Sequence, residues 1–424
     1  MLFSKIKTDK RLKRWVILAG AVLIVALFAI IGIFSSRKIY LGYYAVPVSI
    51  QESITKNIQH HLSDVKSNQR PVVVVLDDRL SLRNALKKAK KYDLVFTFNG
   101  KNLDEILTGE NAKKACPINS DIYTGMTINM IKLAQYDGKN LAVPLLTDHF
   151  EIAYSKYWLD KTTKPTPETM NDLFAYLTAC NKYSVQSMKN AKAKILQWDL
   201  FFAAADPDTL LQFTGAYLES AYGIEACNAL GKAIREGKPF DTVVTEPLDA
   251  NGHTLASVLD VFKGWATSGL LHSQWTAFTI NDVKQFMKAE LAPVAFMPLS
   301  VHRTVDSAII VKYSASFFPV VNPSAPQSFT APVICGVQFK KSPLLSGILQ
   351  NLASQGVQAT LSMETGLAPV SSQAVAPDRE SDDVRYWTAA TEAPYPGLDK
   401  AAFTTPTDRK AFADKIIAYI NTPK

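Results

Sequence analysis

The chain has 424 residues, of which 47% are apolar and 20% are charged. This length predicts two or three domains with packed cores, and it excludes a disordered tail, a collagen-like fibre and a disulfide-stapled miniprotein. The net charge of +8 is concentrated up to Lys38, where eight basic residues and Asp9 give +7. The remaining body is nearly neutral, so we expect it not to bind nucleic acid.

The segment 15–34 contains twenty residues and no charge. As a helix it would match the roughly 30 Å hydrocarbon core of a bilayer, and the six Lys/Arg within residues 1–14 favour a cytoplasmic N-terminus. We therefore predict a cytoplasmic basic segment at 1–14, a single transmembrane anchor at 15–34 and a body held on the bacterial cytoplasmic membrane, in the periplasm or extracellular space. A cleaved signal peptide is the alternative, although the apolar run is long for one and ends in a poor cleavage site.

The four cysteines are far apart and have no metal-like spacing; they are Cys116, Cys180, Cys227 and Cys335. Export would permit disulfides, but the spacing selects no partners. We expect small buried residues at these positions, and neither a metal site nor a cofactor.

After the anchor, apolar runs typical of strands alternate with helical patterns. Strands are predicted at 39–46, 71–76 and 93–98; the helices between them bury first Ile50, Ile54, Ile58 and Leu62 and then Leu82, Leu86 and Ala89. This order predicts an α/β fold with a parallel sheet and right-handed crossovers. In such sheets ligands collect beyond the carboxyl ends of the strands.

The middle third is predicted to be mainly helical. Helix starts are indicated by Pro167 and by Thr279, which lies three residues before Asp282. Further elements are strands at 292–297 and 331–339, a helix starting at Ser342-Pro343 and a last helix near 408–420.

The segment DGKNLAVPLLTDHFEIAYSKYWLD at 137–160 resembles a segment of the extracellular solute-binding proteins of ABC importers, in the maltose-binding-like, sugar-type family 1. That segment typically has an Asp-Gly-Lys turn, a strand into Val/Leu-Pro and a final Tyr-Asn-Lys. Here the proline is Pro144, and the last triplet is Tyr154-Ser155-Lys156, with Ser in place of Asn.

Three further segments agree with this family in order. DLVFTFNG at 93–100 is similar to its second-strand segment, and METGLAPVSSQAV at 363–375 resembles its Thr-Gly-x-x-Pro-Val segment. FMKAELAPVAFMP at 286–298 resembles its helix-to-strand element, but Ala289 and Pro293 replace the usual Gly and Ala.

This resemblance implies a two-lobed periplasmic-binding-protein fold of class II, with an N-terminal transmembrane helix added here. The implied N-terminal lobe is 39–147 plus 322–362, and the C-terminal lobe is 148–321 plus 363–424. The implied function is the membrane-tethered, extracytoplasmic solute-binding component of an ABC importer. It would bind a small solute, a sugar or polyol, by domain closure without catalysis, work with ABC permease subunits and remain a monomer.

The resemblance also implies ligand-binding residues. Asp148, beside His149, matches a carboxylate that accepts sugar hydroxyl hydrogen bonds; a loop acid and a packing histidine are the alternatives. Trp198-Asp199 matches an aromatic and an acid against a sugar ring. Trp198 also has helical spacing with neighbouring apolar residues, which is typical of a core position.

Other candidates follow from strand ends or from position within the family pattern. Tyr43-Tyr44 and Phe98-Asn99 lie at strand carboxyl ends, where alternation requires one residue of each pair to face the core. His302-Arg303 stands where sugar binders usually carry a stacking Trp, so the arginine instead indicates a carboxylate or phosphate, or only a surface ion pair. Tyr395 is either a residue that closes the cleft or a turn aromatic.

Two other classes of function remain open. One is a two-lobed sensor or scaffold that does not feed a transporter. The other is an exported glycoside-acting hydrolase, in which Asp148 and Asp199 would form the acid pair. The sequence has no HExxH, nucleophile elbow or Walker loop, which disfavours the hydrolase.

Overall fold

The computed structural model describes residues 37–188, 200–324, 328–390 and 394–422. The predicted basic segment and anchor, together with Trp198 and Asp199, lie outside these ranges. Within them, none of the helices combines the length and the apolar character needed to cross a bilayer.

One mixed sheet has six strands in the order β12-β6-β11-β3-β1-β2. Strands β1, β2 and β3 are parallel, as predicted, whereas β11 runs antiparallel between β3 and β6. The strands are β1 (Lys38–Tyr43), β2 (Arg70–Val75), β3 (Leu94–Phe98), β6 (Val143–Thr147), β11 (Val333–Gln338) and β12 (Ala368–Pro369). We call this sheet and the helices packed on it lobe 1.

A second sheet of four strands has the order β10-β7-β9-β8. Its strands are β7 (Phe150–Ser155), β8 (Phe201–Phe202), β9 (Val294–Pro298) and β10 (Tyr313–Ser316). Between the two sheets in sequence, β4 (Gln135–Tyr136) and β5 (Lys139–Asn140) form a separate hairpin. We call the four-stranded sheet and its helices lobe 2.

The helices fall into the same two groups. Lobe 1 contains α1 (Val48–Asp64), α2 (Leu82–Ala89), α3 (Lys101–Leu107), α4 (Ile128–Leu133), α14 (Pro343–Ala353) and α15 (Gln355–Thr365). Lobe 2 contains α5 (Lys156–Thr162), α6 (Met170–Met188), α7 (Pro207–Tyr222), α8 (Ile224–Arg235), α9 (Phe240–Thr245), α10 (Leu255–Ser268), α11 (Ile280–Lys288), α12 (Leu299–His302), α13 (Ser307–Ile310), α17 (Leu398–Ala402) and α18 (Pro406–Asn421). Helix α16 (Arg379–Ala390) packs on β12, and short 3-10 helices lie at Gly109–Lys114, Ser120–Tyr123 and Trp275–Ala277.

Each lobe has its own apolar core. In lobe 1 the predicted face of α1 packs on the sheet, and Ile54 and Ile58 are fully buried there. In lobe 2 the core surrounds Phe213 of α7, whose ring stacks on Phe202 with 4.4 Å between centroids. Burying large aromatic rings in both lobes gives each a core that can stabilise it as a rigid body.

Local signals in the sequence were right at some helix starts and wrong at one. Helix α11 begins after a Thr279–Asp282 capping box, and α14 begins at Pro343, both as predicted. The start predicted at Pro167 is wrong, because α6 begins at Met170. There Thr169 and Asp172 exchange hydrogen bonds, and such reciprocal bonds satisfy free donors at a helix start better than a proline can. Among the cysteines, Cys180, Cys227 and Cys335 are buried, as expected, whereas Cys116 is only half-buried.

The chain passes between the sheets at several places. It leaves lobe 1 after Thr147, enters β7 at Phe150, and returns between β10 and β11. The predicted lobe boundaries stay a prediction. However, β12 pairs with β6 of lobe 1, so the structure favours a last boundary beyond Pro369 rather than at residue 363.

Candidate functional site

Strands β1 and β3 of lobe 1 end at the predicted ligand edge, and their last residues point in different directions. Tyr43 turns into lobe 1, where its ring stacks on Phe96 at 5.1 Å and its hydroxyl lies 2.9 Å from Thr55 Oγ1. Burial raises the pKa of Tyr43. Asn99 is also internal, because it exchanges backbone and side-chain hydrogen bonds of 2.8 Å with Val333. These two candidates therefore hold lobe 1 together rather than face a cleft.

Their neighbours Tyr44 and Phe98 contact lobe 2. The Tyr44 hydroxyl lies 2.9 Å from the Thr404 carbonyl oxygen, as well as 2.7 Å from that of Leu80. The Lys400 ammonium stands 5.3 Å from the centroid of the Phe98 ring, within range of a cation–π interaction. Lobe 2 thus covers the strand ends with residues of its own C-terminal part.

Gly100 allows a close approach between the two lobes. Its φ of +94° is a conformation that side chains disfavour, and a Cβ there would lie 2.6 Å from the Lys400 carbonyl oxygen. We use the name seam for this contact, formed by Tyr44, Phe98 and Gly100 of lobe 1 with Lys400 and Thr404 of lobe 2.

Behind the seam, lobe 2 buries Asp399, Lys400 and Arg409, and the half-exposed Asp208 completes a set of two acids and two bases. Lys400 Nζ lies 2.5 Å from Asp399 Oδ2 and 3.4 Å from Asp208 Oδ2, and Arg409 Nε lies 2.5 Å from Asp208 Oδ1. Gln212 donates to Asp399 at 3.2 Å. The cluster is neutral as a whole, which is how buried charges are normally tolerated.

Burial and charged neighbours shift the pKa values of this cluster in opposite directions. Burial raises the pKa of the Asp399 carboxyl, and Lys400 offsets only part of that rise. Burial alone would lower the pKa of Lys400, but the neighbouring Asp399 and Asp208 raise it, so the ammonium stays charged. Asp399 Oδ1 and Arg409 Nη1 have no hydrogen-bond partner within the described ranges. Both atoms are buried, so they are unsatisfied polar atoms inside lobe 2.

A second polar group, beginning with the half-buried Asp148, lies where the chain first crosses between the lobes. Asp148 accepts hydrogen bonds from the backbone N–H groups of His149, at 2.9 Å, and Ser300, at 3.0 Å, and from Ser300 Oγ at 2.6 Å. Burial raises the pKa of Asp148, and these donors lower it in part. Both carboxylate oxygens are therefore engaged in fixing the crossing segment to α12.

Glu151 and two histidines lie just beyond it. His302 Nδ1 is 2.5 Å from Glu151 Oε1, and His149 Nδ1 is 4.0 Å from Glu151 Oε2; all three side chains are fully buried. Burial would raise the pKa of Glu151, but His302 and His149 lower it below its ordinary value. Burial would lower the pKa of His302, and Glu151 outweighs this and raises it. The His149 ring also stacks on Phe329 at 4.8 Å.

The side chain of Arg303 and the backbone of Tyr395 also make contacts within the protein. Arg303 Nε lies 2.6 Å from Asp378 Oδ2, and its Nη1 donates to the Ser362 carbonyl at 3.0 Å. Tyr395 is buried, and its backbone pairs with the strand-like segment at Thr330. We use the name crossing cluster for Asp148, Glu151, His302 and Arg303.

The candidates from the sequence thus fall into three sets. Tyr44 and Phe98 lie at the seam; Tyr43, Asn99 and Tyr395 are internal to a lobe or its strand pairing; Asp148, His149, His302 and Arg303 lie in or beside the crossing cluster. Trp198 and Asp199 lie outside the described residues. Within the described ranges, no three His, Cys, Asp or Glu side chains are grouped to hold a metal ion.

Sequence reasoning missed the residues that cover the seam, notably Asp399 and Lys400. The signal available was a pair of opposite charges, in GLDKAAF at 397–403, inside an otherwise apolar run that follows two prolines. Charges in such a run are buried only when they are paired, and this pattern would have predicted an internal ion pair.

No protein-family model matches the sequence, and a search of curated proteins finds no match. Solved structures do match. The bacterial solute receptor AcbH, described as having an exclusive preference for β-D-galactopyranose, aligns with a TM-score of 0.70 and 15% identity over 92% of this chain and 93% of that one. The chain has the fold of the extracellular solute-binding proteins.

Two other structures show the same fold. The MsmE binding protein of Bacillus subtilis, in an open conformation, aligns with a TM-score of 0.69 and 12% identity over 91% of this chain and 93% of that one. A family 1 extracellular solute-binding protein of Bifidobacterium longum subsp. infantis aligns with a TM-score of 0.58 and 15% identity over 91% and 98%. The resemblance that four segments of the sequence carry is thereby confirmed at the level of the fold.

Proposed function

We propose that this protein is the membrane-tethered, extracytoplasmic solute-binding component of an ABC importer, and that it binds a sugar or polyol between its lobes without chemical conversion. The observation that carries the proposal is the two-lobed fold with the carboxyl ends of β1 and β3 facing lobe 2. The sugar preference described for AcbH supports the choice of ligand class.

Domain closure is the mechanism that this arrangement supports. A ligand shifts the balance between open and closed forms only through contacts that differ between them. The seam is formed from both lobes, so its contacts exist only when the lobes are together. A polyol that entered the seam would stack on Phe98 and hydrogen-bond to Asp399 and Gln212, taking the place of some of the contacts that Lys400 now makes.

Binding should be detected as stabilisation of a soluble fragment starting at Lys38. A ligand at one hundred times its Kd stabilises the folded state by about 2.7 kcal/mol. We expect one member of a panel of sugars, polyols, organic acids and peptides to raise Tm by several degrees, and Phe98→Ala to abolish that rise. Tyr386→Ala, at an exposed aromatic on α16, is the control and should keep it.

A two-lobed sensor or scaffold is the second candidate, and one observation favours it. The seam is already filled by the chain's own residues, with Lys400 on Phe98 and Thr404 on Tyr44. If no small solute in the panel raises Tm, the importer role fails and this candidate takes its place. Hydrolysis is disfavoured because three donors already engage Asp148.

A further inference from the structure

The end of lobe 1 opposite the seam carries a concentration of exposed basic residues. Ten exposed lysines and arginines lie there: Arg37, Lys38, Lys66, Arg70, Lys90, Lys91, Lys113, Lys114, Lys340 and Lys341. We use the name basic end for this surface. None of these residues contributes to the seam or the crossing cluster.

Strand pairing brings residues from distant parts of the chain to this one end. Lys38 and Arg70 begin two parallel strands and are direct partners in the register. Strand β11 runs the other way and ends opposite the start of β3, where Gln338 pairs with Leu94. Lys340 and Lys341 therefore follow at the same end as the loop carrying Lys90 and Lys91, which leads into β3.

The segment holding Lys113 and Lys114 is tied to the same place. The N–H of Cys116, two residues later, donates to the Gln338 carbonyl at 2.7 Å. Lys66 precedes the start of β2, whose first N–H, that of Arg70, donates to the Arg37 carbonyl at 2.9 Å. The basic end is thus one continuous feature of lobe 1 rather than scattered surface charge.

Few acids offset this charge. The segments 37–38, 64–70, 90–93, 109–116 and 339–341 carry a net +7, whereas residues 37–424 as a whole carry +3. The rest of the body is therefore net negative, by 4. Asp93 is buried and forms an ion pair with Lys340 Nζ at 3.7 Å, and its charge is already included in the net +7.

The basic end is also where the predicted anchor joins the body. Three residues separate the predicted span, which ends at Phe34, from Lys38 at the start of β1, and such a length of chain extends at most about 14 Å. Lipid headgroups add roughly 5–8 Å on each side of the hydrocarbon core, and the Debye length at physiological salt is about 8 Å. The tether therefore holds the basic end within electrostatic range of the membrane surface.

We propose that the basic end binds the anionic phospholipid headgroups of the membrane to which the chain is tethered; this inference rests on the tether in the proposed function. Strands β1 and β3 lead from the basic end to the seam, so binding holds the seam and lobe 2 away from the bilayer. In the resting molecule lobe 1 contacts the membrane surface. The basic end must leave the lipid before both lobes can reach a membrane partner.

The test uses the full chain reconstituted in nanodiscs of phosphatidylcholine alone or with 30% phosphatidylglycerol. Backbone hydrogen exchange is measured by mass spectrometry at the segments of the basic end. We expect slower exchange there only with phosphatidylglycerol, and loss of the difference when NaCl is raised from 0.15 to 1 M, because salt screens the attraction.

Charge-neutralising variants make the test specific. Each basic residue near an anionic surface contributes about fivefold to binding, so the triple variant K113Q/K114Q/K341Q should weaken docking roughly a hundredfold and remove the protection. The matched control changes three exposed lysines of lobe 2 and should keep it; the variant is K164Q/K182Q/K288Q.

Each outcome has a defined meaning. Equal protection in both kinds of nanodisc, or protection that survives the triple variant, assigns the surface to something other than anionic lipid, such as an acidic protein partner, and overturns the proposal. Retention of the chain by anionic discs but not by neutral ones supports lipid binding by the basic end and contradicts the tether. A chain that neither disc retains contradicts both the tether and this proposal.

Discussion

The seam and the crossing cluster both bury charge between distant parts of the chain, but they differ in what happens when the lobes separate. The two acids and two bases behind the seam all belong to lobe 2, and lobe 1 supplies to the seam only a ring face, a hydroxyl and a glycine. Asp208, Asp399, Lys400 and Arg409 can keep each other as partners if lobe 1 moves away.

The crossing cluster has no such freedom. Asp148 fixes the crossing segment to α12, and Arg303 joins α12 to Asp378 and to the end of α15. A movement that separated these segments would leave a buried charge without its partner, which costs several kcal/mol. We infer that the lobes part at the seam while the crossing cluster stays intact, and the predictions below test that difference.

The largest expected effect is at the crossing cluster. Glu151→Ala removes the acid beside His302 and His149 and leaves two buried imidazoles without it. We expect the free energy of unfolding, measured by urea denaturation of the fragment from Lys38, to fall by about 3–5 kcal/mol.

The matched control is Asp64→Ala, which breaks an exposed carboxylate–imidazole pair with His60. Exposed pairs contribute little because water solvates both partners, so the control should leave the midpoint unchanged. A loss of less than about 1 kcal/mol in Glu151→Ala would mean that the pair can be dispensed with and that the crossing cluster is not rigid.

The next largest effect is expected at the seam. Lys400→Met removes the base shared by Asp399 and Asp208 and the cation above Phe98. We expect a loss of about 3 kcal/mol, together with a larger radius of gyration in X-ray scattering, because the lobes lose a contact as well as an ion pair. Lys410→Met, at an exposed pair with Asp414, should change neither quantity. A loss of stability without any change in the radius of gyration would show that Lys400 stabilises lobe 2 alone and does not hold the two lobes together.

How much of this could be predicted differs between the fold and the site. The alternation of strands and helices predicted the α/β class, and the two-lobed fold was implied by the resemblance of four segments to solute-binding proteins. Both depend on local patterns of sequence. The strand-end rule placed Tyr43-Tyr44 and Phe98-Asn99 at the sheet edge that faces lobe 2, and it required one of each pair to face inward, as observed for Tyr43 and Asn99.

The contacts across the seam could not be predicted in the same way. Lys400 and Phe98 are about 300 residues apart in sequence, and no periodicity links them. Asp148, in turn, matched a family position by sequence, but whether its oxygens are free depends on Ser300, which reaches it only through the pairing of β7 with β9. Such contacts arise from tertiary packing rather than from local pattern.

A pH effect is expected at Glu219, which joins α7 to the segment returning to lobe 1. It accepts a hydrogen bond from Ser328 Oγ at 2.7 Å. Burial raises its pKa from 4.5 to about 7, and the Ser328 and Phe329 donors lower it only in part. Between these values the folded state holds a proton that the unfolded state releases, so stability falls as pH rises.

The corresponding variant is Glu219→Gln, which has no proton to lose. Between pH 5 and pH 8 we expect the unmodified protein to lose about 2 kcal/mol more than this variant, measured by urea denaturation at both values. Glu225→Gln, at an exposed position on α8, should follow the unmodified protein. Parallel pH profiles for the unmodified protein and Glu219→Gln would show that the carboxylate is charged in the folded state.

The smallest effect is the most specific test of the seam, because it separates backbone strain from contact between lobes. Gly100 and Gly223 precede helices with similar dihedral angles, φ 94° and ψ −149° against φ 84° and ψ 173°. An alanine at either position meets a strain of about 1–3 kcal/mol. Only at Gly100 does the added Cβ also meet the other lobe, since nothing lies within 4 Å of the equivalent atom at Gly223. We therefore expect Gly100→Ala to cost about 1 kcal/mol more than Gly223→Ala and to be the only one of the two that increases the radius of gyration. Equal costs and equal radii would show that the approach of the Lys400 carbonyl to Gly100 does not limit how closely the lobes meet.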